Sequence, residues 1–591
     1  MECFLKLGRK EIFKALTVTM LLGAFMVFMG GWAWAEEKSV TEQILDIMLQ
    51  SRQISQEQYD ALLKKAEAEK LAAAQAIAEA QKAEEAQKAE EAKKAAAARL
   101  AGTHGIPTSA EATGLSVSWR NGIRFSNEDK SFDVHVGGRL QWDFADAEPS
   151  NALLKWSQGG DSKTAFSEPK VSGYGDQVRR ARLLIDGTVY KSFEFSDQIE
   201  FAPSYSATTV LKSATLSKGV LTTTSTSLTT GAAVTFADVW GGIKDVPYLG
   251  RIRIGQMYEP VGLEQQRSDN FRTFLETSIA TTALVPSRNT GLLVENTEFN
   301  NRLGWQVGYF FQQQAALSSN GVPLDTTGDL FSPHLDATNV VARFTGLPWY
   351  ENNGEHLFHV GLGYEHKFRS FTPTSQAFIG QLNPGALDFK SSPEANLFSP
   401  LVDTGNFMAK GVDVVDPEIA LVYGPFAMQG EVPLAWVSTV RQTTGGPFTY
   451  PVGKKTFDFN PDAQFSSWYV EATYFLTGEH RLYNTTATTA QYQGTFGRIY
   501  PISDFNPKNG GTGAWELAFR VSNVDLNDAA AGFNGGNELD FTAGLNWYLN
   551  ADVLWKFNYI YASVGAHPNG YGNLATSASD NIFESRFQVA F

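Results

Sequence analysis

From residue 115 to residue 591 apolar and polar positions alternate with period two, in one segment after another. Val134, Val136, Leu140, Trp142 and Phe144 interleave with His135, Gly137, Arg139, Gln141 and Asp143. Ala181, Leu183, Ile185 and Val189 alternate with Arg180, Arg182, Asp186 and Thr188, and the same two-step pattern returns near 303–311, 358–365, 515–522 and 553–561. Successive side chains of a strand point to opposite faces. Each segment therefore predicts a strand of about ten residues with one apolar, aromatic face and one polar face, as a strand between lipid and water requires. A soluble sandwich also alternates, but it turns its apolar face inward and uses shorter strands. Aromatic residues, 41 Phe, 20 Tyr and 13 Trp, suit the interfacial girdles of a membrane barrel. The fold class predicted is an all-β transmembrane barrel of about 16 to 18 antiparallel strands, wide enough to leave an aqueous channel. Stretches rich in Gly, Ser and Thr at 204–231, 318–328 and 570–579 predict long external loops.

Ahead of the barrel the periodicity changes. Lys6, Arg9, Lys10 and Lys14 precede an apolar run that ends at Ala33-Trp34-Ala35, the layout of a cleaved secretory signal over 1–35. The apolar run is shorter than the ~20 residues of a spanning helix. Residues 36–100 predict a helical periplasmic arm. It opens with an amphipathic unit (Ile44, Leu45, Met48, then Tyr59, Leu62 and Leu63) and continues as an Ala/Glu/Lys/Gln stretch with alanine at every third position from 80 to 95. Glu84–Lys88 and Glu90–Lys94 sit at helical i,i+4 spacing. A three-residue alanine period drifts off a heptad seam. Two readings of the arm stand, a solvated spacer and a weak coiled coil that helps a homotrimer form. Peptidoglycan is a candidate partner for either. Gly102, Gly105, Pro107 and Gly114 mark a linker over 101–114, and 115–591 is the barrel domain.

Composition narrows the chemistry. Cys3, inside the expected signal, is the sole cysteine, so an exported chain has neither disulfides nor Cys-held metal. The formal charge of −15 places −14 on residues 101–591, which argues against a nucleic-acid partner. No G-x-S-x-G elbow or phosphate-binding loop is present. His356 and His359, three apart in a strand, point to opposite faces and make a poor metal site. No enzyme activity, cofactor or metal is expected.

Several motifs are more specific. They are Val136-Gly137-Gly138-Arg139-Leu140-Gln141, Arg179-Arg180-Ala181-Arg182 before Gly187-Thr188-Val189-Tyr190-Lys191, and Gly255 to Glu264 followed by Thr273-Phe274-Leu275-Glu276. Leu476-Thr477-Gly478-Glu479-His480-Arg481-Leu482-Tyr483, Gly513-Ala514-Trp515-Glu516-Leu517 and Gly544-Leu545-Asn546-Trp547-Tyr548 complete the set. On these the chain resembles the phosphate-selective porin O and P family, trimeric 16-stranded outer-membrane channels, over nearly all of 115–591. The resemblance implies a loop near 259–288 that folds into the lumen and sets the narrowest point. The charges on that loop are mixed: Glu259, Glu264, Asp269 and Glu276 against Arg267, Arg272 and Arg288.

Arg139, Arg180, Arg182, Arg251 and Arg253 fall on the polar phase of their strands and are candidate pore-lining groups. The alternative is that they pair with inward carboxylates such as Asp143, Asp186 and Glu516. Anion-selective members of the family carry an arginine cluster where this chain has Asp388-Phe389-Lys390-Ser391-Ser392-Pro393-Glu394, with Lys390 alone basic, and a constriction lysine corresponds to Asn270. A broad porin, weakly selective or tilted toward cations, is expected rather than a strict phosphate channel. Phe310 and Tyr190 are candidate aromatic pore positions.

At the chain end Phe583, Ser585, Phe587, Val589 and Phe591 share one face. A terminal aromatic resembles the signal read by the bacterial barrel-assembly machinery, so Phe591 is the expected assembly signal and outer-membrane lipid the expected surround. The alternative function is a tether or adhesin, a closed barrel whose arm binds the cell wall or a periplasmic partner.

Overall fold

The computed structural model describes residues 115–119, 121–158, 170–202, 209–217, 220–228, 234–311, 337–369, 386–405, 407–409, 411–438, 441–442, 462–567 and 574–591. The expected signal, helical arm and linker, and the loop expected at 318–328, lie outside the described residues.

The wall begins with β1 (Phe132–Pro149), β2 (Gly173–Val189), β3 (Phe193–Glu200) and β4 (Thr235–Val246). It continues through β5 (Gly250–Tyr258), β6 (Arg288–Glu298), β7 (Leu303–Phe311), β8 (Ala337–Glu351), β9 (His356–Arg369) and β10 (Gly411–Tyr423). β11 is broken. Its halves, Phe426–Glu431 and Leu434–Ser438, both pair with β10 and with β12 (Ala463–Phe475). The break falls at Val432-Pro433, where proline has no N–H for the ladder. β13 (Ala514–Asp528), β14 (Phe533–Tyr548), β15 (Val553–Val564) and β16 (Ala578–Ala590) complete the chain.

Neighbours along the chain pair antiparallel, and β16 pairs back onto β1 from Asp580↔Pro149 to Ala590↔Arg139. Of the 19 strands in the sheet, two form a hairpin outside the ring and two are the halves of β11, which leaves a closed barrel of 16. Closure leaves no free edge in the ring, the condition under which β-structure can cross hydrocarbon. The seam ends on Phe591, whose N–H donates to the Gly138 carbonyl at 3.0 Å and whose carbonyl accepts from the Gly138 N–H at 2.7 Å. Beyond it the hairpin of Ser116–Trp119 and Ile123–Ser126 takes over the pairing with β1, Ile123 lying opposite Val136. The Trp119 ring stacks on Phe591 at 5.9 Å.

Burial follows the alternation. Trp142, Phe144, Phe519, Trp555, Tyr559 and Phe583 are exposed on the outside, while Gln141, Asp143, Arg520, Lys556, Asn558 and Glu584 are buried inside. Most connections at the end bearing Phe591 are tight, at 190–192, 247–249, 299–302, 352–355, 424–425 and 549–552. Tyr190, Asn300 and Asn353 take left-handed backbone there. Tyr190 is therefore an exposed turn residue, not an aromatic pore position, because the chain leaves the pleat at that point. Phe310 is buried on the inward phase, against Trp240, Leu293 and Val341.

The aqueous interior expected along the whole barrel needs correction at the long-loop end. There Val412, Val414, Ala435, Val437, Phe465, Val524, Leu526, Phe533, Ala562 and Val564 are all buried and apolar. Phe389, Leu401, Val402 and Phe407 from the loop between β9 and β10, together with Ile279 and Leu284, pack against them. The rim turns apolar inward because inserted loops, rather than water, cover it.

Candidate functional site

Two segments enter the barrel, one from each end. The first, residues 259–287, leaves β5 and carries two short helices, α1 (Leu263–Gln266) and α2 (Ile279–Leu284). Glu264 ties them together. Its carboxylate accepts from the Ser278 N–H at 3.1 Å, Ser278 Oγ at 2.8 Å and Thr281 Oγ1 at 2.7 Å. Ser278 in turn caps α2 by accepting from the Thr281 N–H. From there Glu264 reaches Arg520 on β13 at 2.9 Å. Lys556 of β15 donates to the Arg272 carbonyl and Arg586 of β16 to the Leu275 carbonyl. Since β13, β15 and β16 stand away from β5 and β6, the segment spans the interior of the barrel.

Asp269 is where the arginines meet. Arg180 and Arg182 lie 2.9 Å from its carboxylate, Arg139 at 3.2 Å and Arg272 at 3.5 Å. Burial alone would raise this carboxyl, but the four guanidiniums hold it well below the usual carboxylate range. Glu276 is held low in the same way, by Arg179 at 2.9 Å, Arg586 at 2.7 Å and Arg180. Arg182 also meets Glu200 at 2.5 Å.

The carboxylates on the wall, expected as alternative partners of these arginines, are taken by others. Asp143 binds Arg586, Asp186 accepts from His135 Nδ1, and Glu516 binds Arg481. The loop carboxylate Asp269 takes Arg139 and Arg180, whereas Arg182, Arg251 and Arg253 also pair with other wall carboxylates, Glu200, Glu194 and Glu295. The remaining sequence-selected residues are placed as follows. Arg251 meets Glu194 at 2.6 Å and Arg253 meets Glu295 at 2.9 Å, with its guanidinium over Trp240. Arg288 binds Asp238 at 2.6 Å and lies over the Tyr258 ring. Arg267 reaches Glu471 at 3.5 Å and Gln429 on the far wall. Glu259 accepts from Asn339 at 2.8 Å and from Asn289. Lys390 is apart from this group, half-exposed beside Asp388 at 2.5 Å.

The second segment, residues 476–513, enters from the tight-turn end. Its carbonyls cap inward arginines: Ala487 accepts from Arg251 at 2.8 Å, Thr488 from Arg253 at 3.0 Å, and Gln493 and Gly494 from Arg343 at 3.2 and 2.9 Å. Thr489 donates to Asp186. Sequence reasoning singled out the motif at its start but not this path into the lumen. It also passed over Arg343, Arg520 and Arg586, which stand on the inward phase of their strands.

Charge is unevenly distributed around the ring. β1, β2 and β16 carry Arg139, Arg180, Arg182 and Arg586 together with Asp143, Asp186 and Glu584, while β9, β10 and β11 opposite carry the carboxylates Glu365, Asp416, Glu418 and Glu431. Neither carboxylate oxygen of Asp416 has a hydrogen-bond partner among the described residues, and Glu365 has Lys367 at 3.4 Å. Between the two inserted segments remains a small gap, bordered by Arg139, Gln266, Asp269, Arg288 and Tyr492 among others. No group of His, Cys, Asp and Glu among the described residues is arranged to hold a metal ion.

A family model described as "Phosphate-selective porin O and P" matches residues 134–591. The chain is similar to Porin O of Pseudomonas aeruginosa, 21% identical over 500 residues that cover 82% of this chain and 94% of that one. Among solved structures it is similar to the outer membrane channel DcaP of Acinetobacter baumannii (11% identity, TM-score 0.40, 79% of this chain and 99% of that one). It is also similar to an anion-selective porin from Comamonas acidovorans (10% identity, TM-score 0.38, 78% and 99%).

Proposed function

The chain belongs to the phosphate-selective porin O and P family, and from that premise we propose a specific kind of outer-membrane channel. It passes small hydrophilic solutes and ions by diffusion through a constriction made by residues 259–287. The supporting observation is that this segment spans the lumen between an arginine-bearing wall and a carboxylate-bearing wall. A field across the pore orients polar solutes and favours those that exchange hydration for such groups.

Strict phosphate selectivity is not part of the proposal. Each lumen arginine that the sequence selects already has a carboxylate partner, and the Asp416 carboxylate on β10 has no cation partner among the described residues. Together with the −15 net charge, this tilts the pore toward weak cation preference. The functional unit is proposed as a homotrimer, with the barrel-assembly machinery reading Phe591 and the N-terminal arm reaching into the periplasm.

Reconstitution in planar bilayers under a KCl gradient tests the reading. Stable current steps with a reversal potential near zero or on the cation side are expected, and a strongly anion-selective value would overturn the selectivity assignment. The apolar packing at the long-loop rim favours a second reading, a closed anchoring barrel. That reading predicts no steps at all.

A further inference from the structure

Residues 386–405, between β9 and β10, do more than cover the long-loop rim, because their contacts run across the mouth. The Phe389 ring meets Phe465 of β12 at 5.5 Å, and the Glu394 carboxylate meets Arg520 of β13 at 2.6 Å. That carboxylate also accepts from Ser522 Oγ at 2.6 Å and from Thr542 Oγ1 of β14 at 2.5 Å. Ala395 and Phe398 pack with Ile560 of β15, Ile582 of β16, and Ala145 and Ala147 of β1. Asn396 donates to Gln177 of β2 at 3.4 Å, and the Ser399 N–H to the Lys170 carbonyl at 2.9 Å. In a ring of 16, β2 stands opposite β10. The segment is therefore a strap over the pore.

The wall beneath the strap carries uncompensated polarity. Glu538 and Asp540 of β14 and Asp580 and Glu584 of β16 are each at most 2% exposed. Both carboxylate oxygens of Glu538, Asp540 and Asp580, and one of Glu584, lack a hydrogen-bond partner among the described residues. Covering such groups opposes closure, whereas burial of Phe389, Leu401 and Val402 in the apolar rim favours it. Glu394 takes left-handed backbone at φ 49°, a conformation that persists in a non-glycine residue only where its surroundings impose it. One carboxylate thus fastens a strained strap over groups that water would solvate.

We propose that residues 386–405 are a gate, closed in this structure and latched by Glu394, and that lifting it opens a carboxylate-lined vestibule for cations. The proposal rests on the channel reading and adds gating to it. Acidic side chains around a pore mouth favour cations. The apolar packing at the rim is then the closed state of a two-state element, not the wall of a permanently closed barrel.

The test uses the full-length protein in planar bilayers, with Cys3, the sole native cysteine, replaced by serine. Glu394→Ala removes the latch while Arg520 keeps Glu264 at 2.9 Å, and the fraction of time spent open is expected to rise at least fivefold. Lys170→Cys with Ser399→Cys staples the strap down, at a pair that already exchanges two hydrogen bonds of 2.9 Å. The oxidised form is expected to stay closed and the same molecules to conduct after reduction, which separates gating from a folding defect. As a second readout, Asp540→Cys reports access beneath the strap. Its reaction with the cationic thiol reagent 2-aminoethyl methanethiosulfonate is expected to be at least tenfold faster when Glu394→Ala is also present. Equal currents from the oxidised and reduced forms, with the disulfide confirmed by mass, overturn the gate, as does an unchanged labelling rate. Faster labelling without current steps in any form overturns the channel reading and upholds the movement of the strap.

Discussion

Arg586 and Asp143 are register partners on the two strands that close the barrel, and their side chains pair twice, at 2.6 and 2.7 Å. Both are buried. The same guanidinium reaches Glu276 at 2.7 Å and the Leu275 carbonyl, so one residue joins the seam to the segment that spans the lumen. Arg586→Met leaves Asp143 buried without its partner, a change that costs about 3–5 kcal/mol. The urea midpoint of the folded form, followed by gel mobility, is expected to fall accordingly. Arg586→Met with Asp143→Leu is expected to recover most of the loss, because an apolar pair replaces the ionic one.

The loop carrying Asp403 gives stability a pH dependence of a definite sign. Burial pushes this carboxyl up to about 6, against the pull of Lys390. Its unfolded value is about 3.9, so the folded state holds the extra proton between those values. The group therefore destabilises the fold progressively as pH rises from ~4 through ~6. Asp403→Asn keeps an oxygen to accept from the Gly405 N–H, now at 2.6 Å, and removes the charge. The variant is expected to be more stable at pH 8 by roughly 3 kcal/mol and little changed at pH 4, as read by paired urea titrations.

Period-two alternation made the inward phase of Arg139, Arg180, Arg182, Arg251 and Arg253 legible, because strand geometry alone decides which face a residue takes. Their partners were not legible. Asp269 reaches β1 and β2 only through the path of 259–287 across the lumen, and no local pattern encodes that path. Arg520 and Arg586 lay on polar phases already read, but nothing in a strand's own sequence shows which inward arginine meets an inserted loop. The 476–513 insertion left a trace that could have been found. Connections on the Phe591 side alternate with those on the other side, so a 476–513 gap at a tight-turn position is anomalous once the strands are counted in order. Tyr190 was misplaced for the converse reason, since a turn in left-handed backbone ends the alternation that the phase argument extended through it.

Arg343 holds the inserted 476–513 segment to the wall. It is fully buried, binds Glu418 at 2.8 and 3.1 Å, and donates to the Gln493 and Gly494 carbonyls. Arg343→Met removes both carbonyl contacts together with the ion pair. The freed segment is expected to fluctuate within the lumen, giving noisier steps and an open-state conductance that differs from that of the parent in single-channel recordings. An unchanged, quiet conductance would show that the remaining contacts, such as those of Arg251 and Arg253 with 487–488, suffice to hold the segment.

Asp269 sets the balance on the arginine-bearing wall, and its neutralisation tests that balance directly. Its single carboxylate answers Arg139, Arg180, Arg182 and Arg272. Asp269→Asn keeps the shape and an acceptor oxygen but leaves those four guanidiniums with Glu200 and Glu276 as their remaining close carboxylates. The lumen gains one net positive charge where 259–287 crosses it, and a ring of basic groups favours anions. The ratio of chloride to potassium permeability in a KCl gradient is expected to rise several-fold. Inorganic phosphate, which the parent's paired arginines do not hold, is expected to block the variant's current. The acid response is expected to move with it. Because Asp269 is held well below the usual carboxylate range, the parent keeps its selectivity down through pH 4 and loses it only at more acid pH, as the carboxylate is protonated. The variant has no such transition from this site, so a parent profile that already changes between pH 6 and pH 4 would place the controlling charge elsewhere.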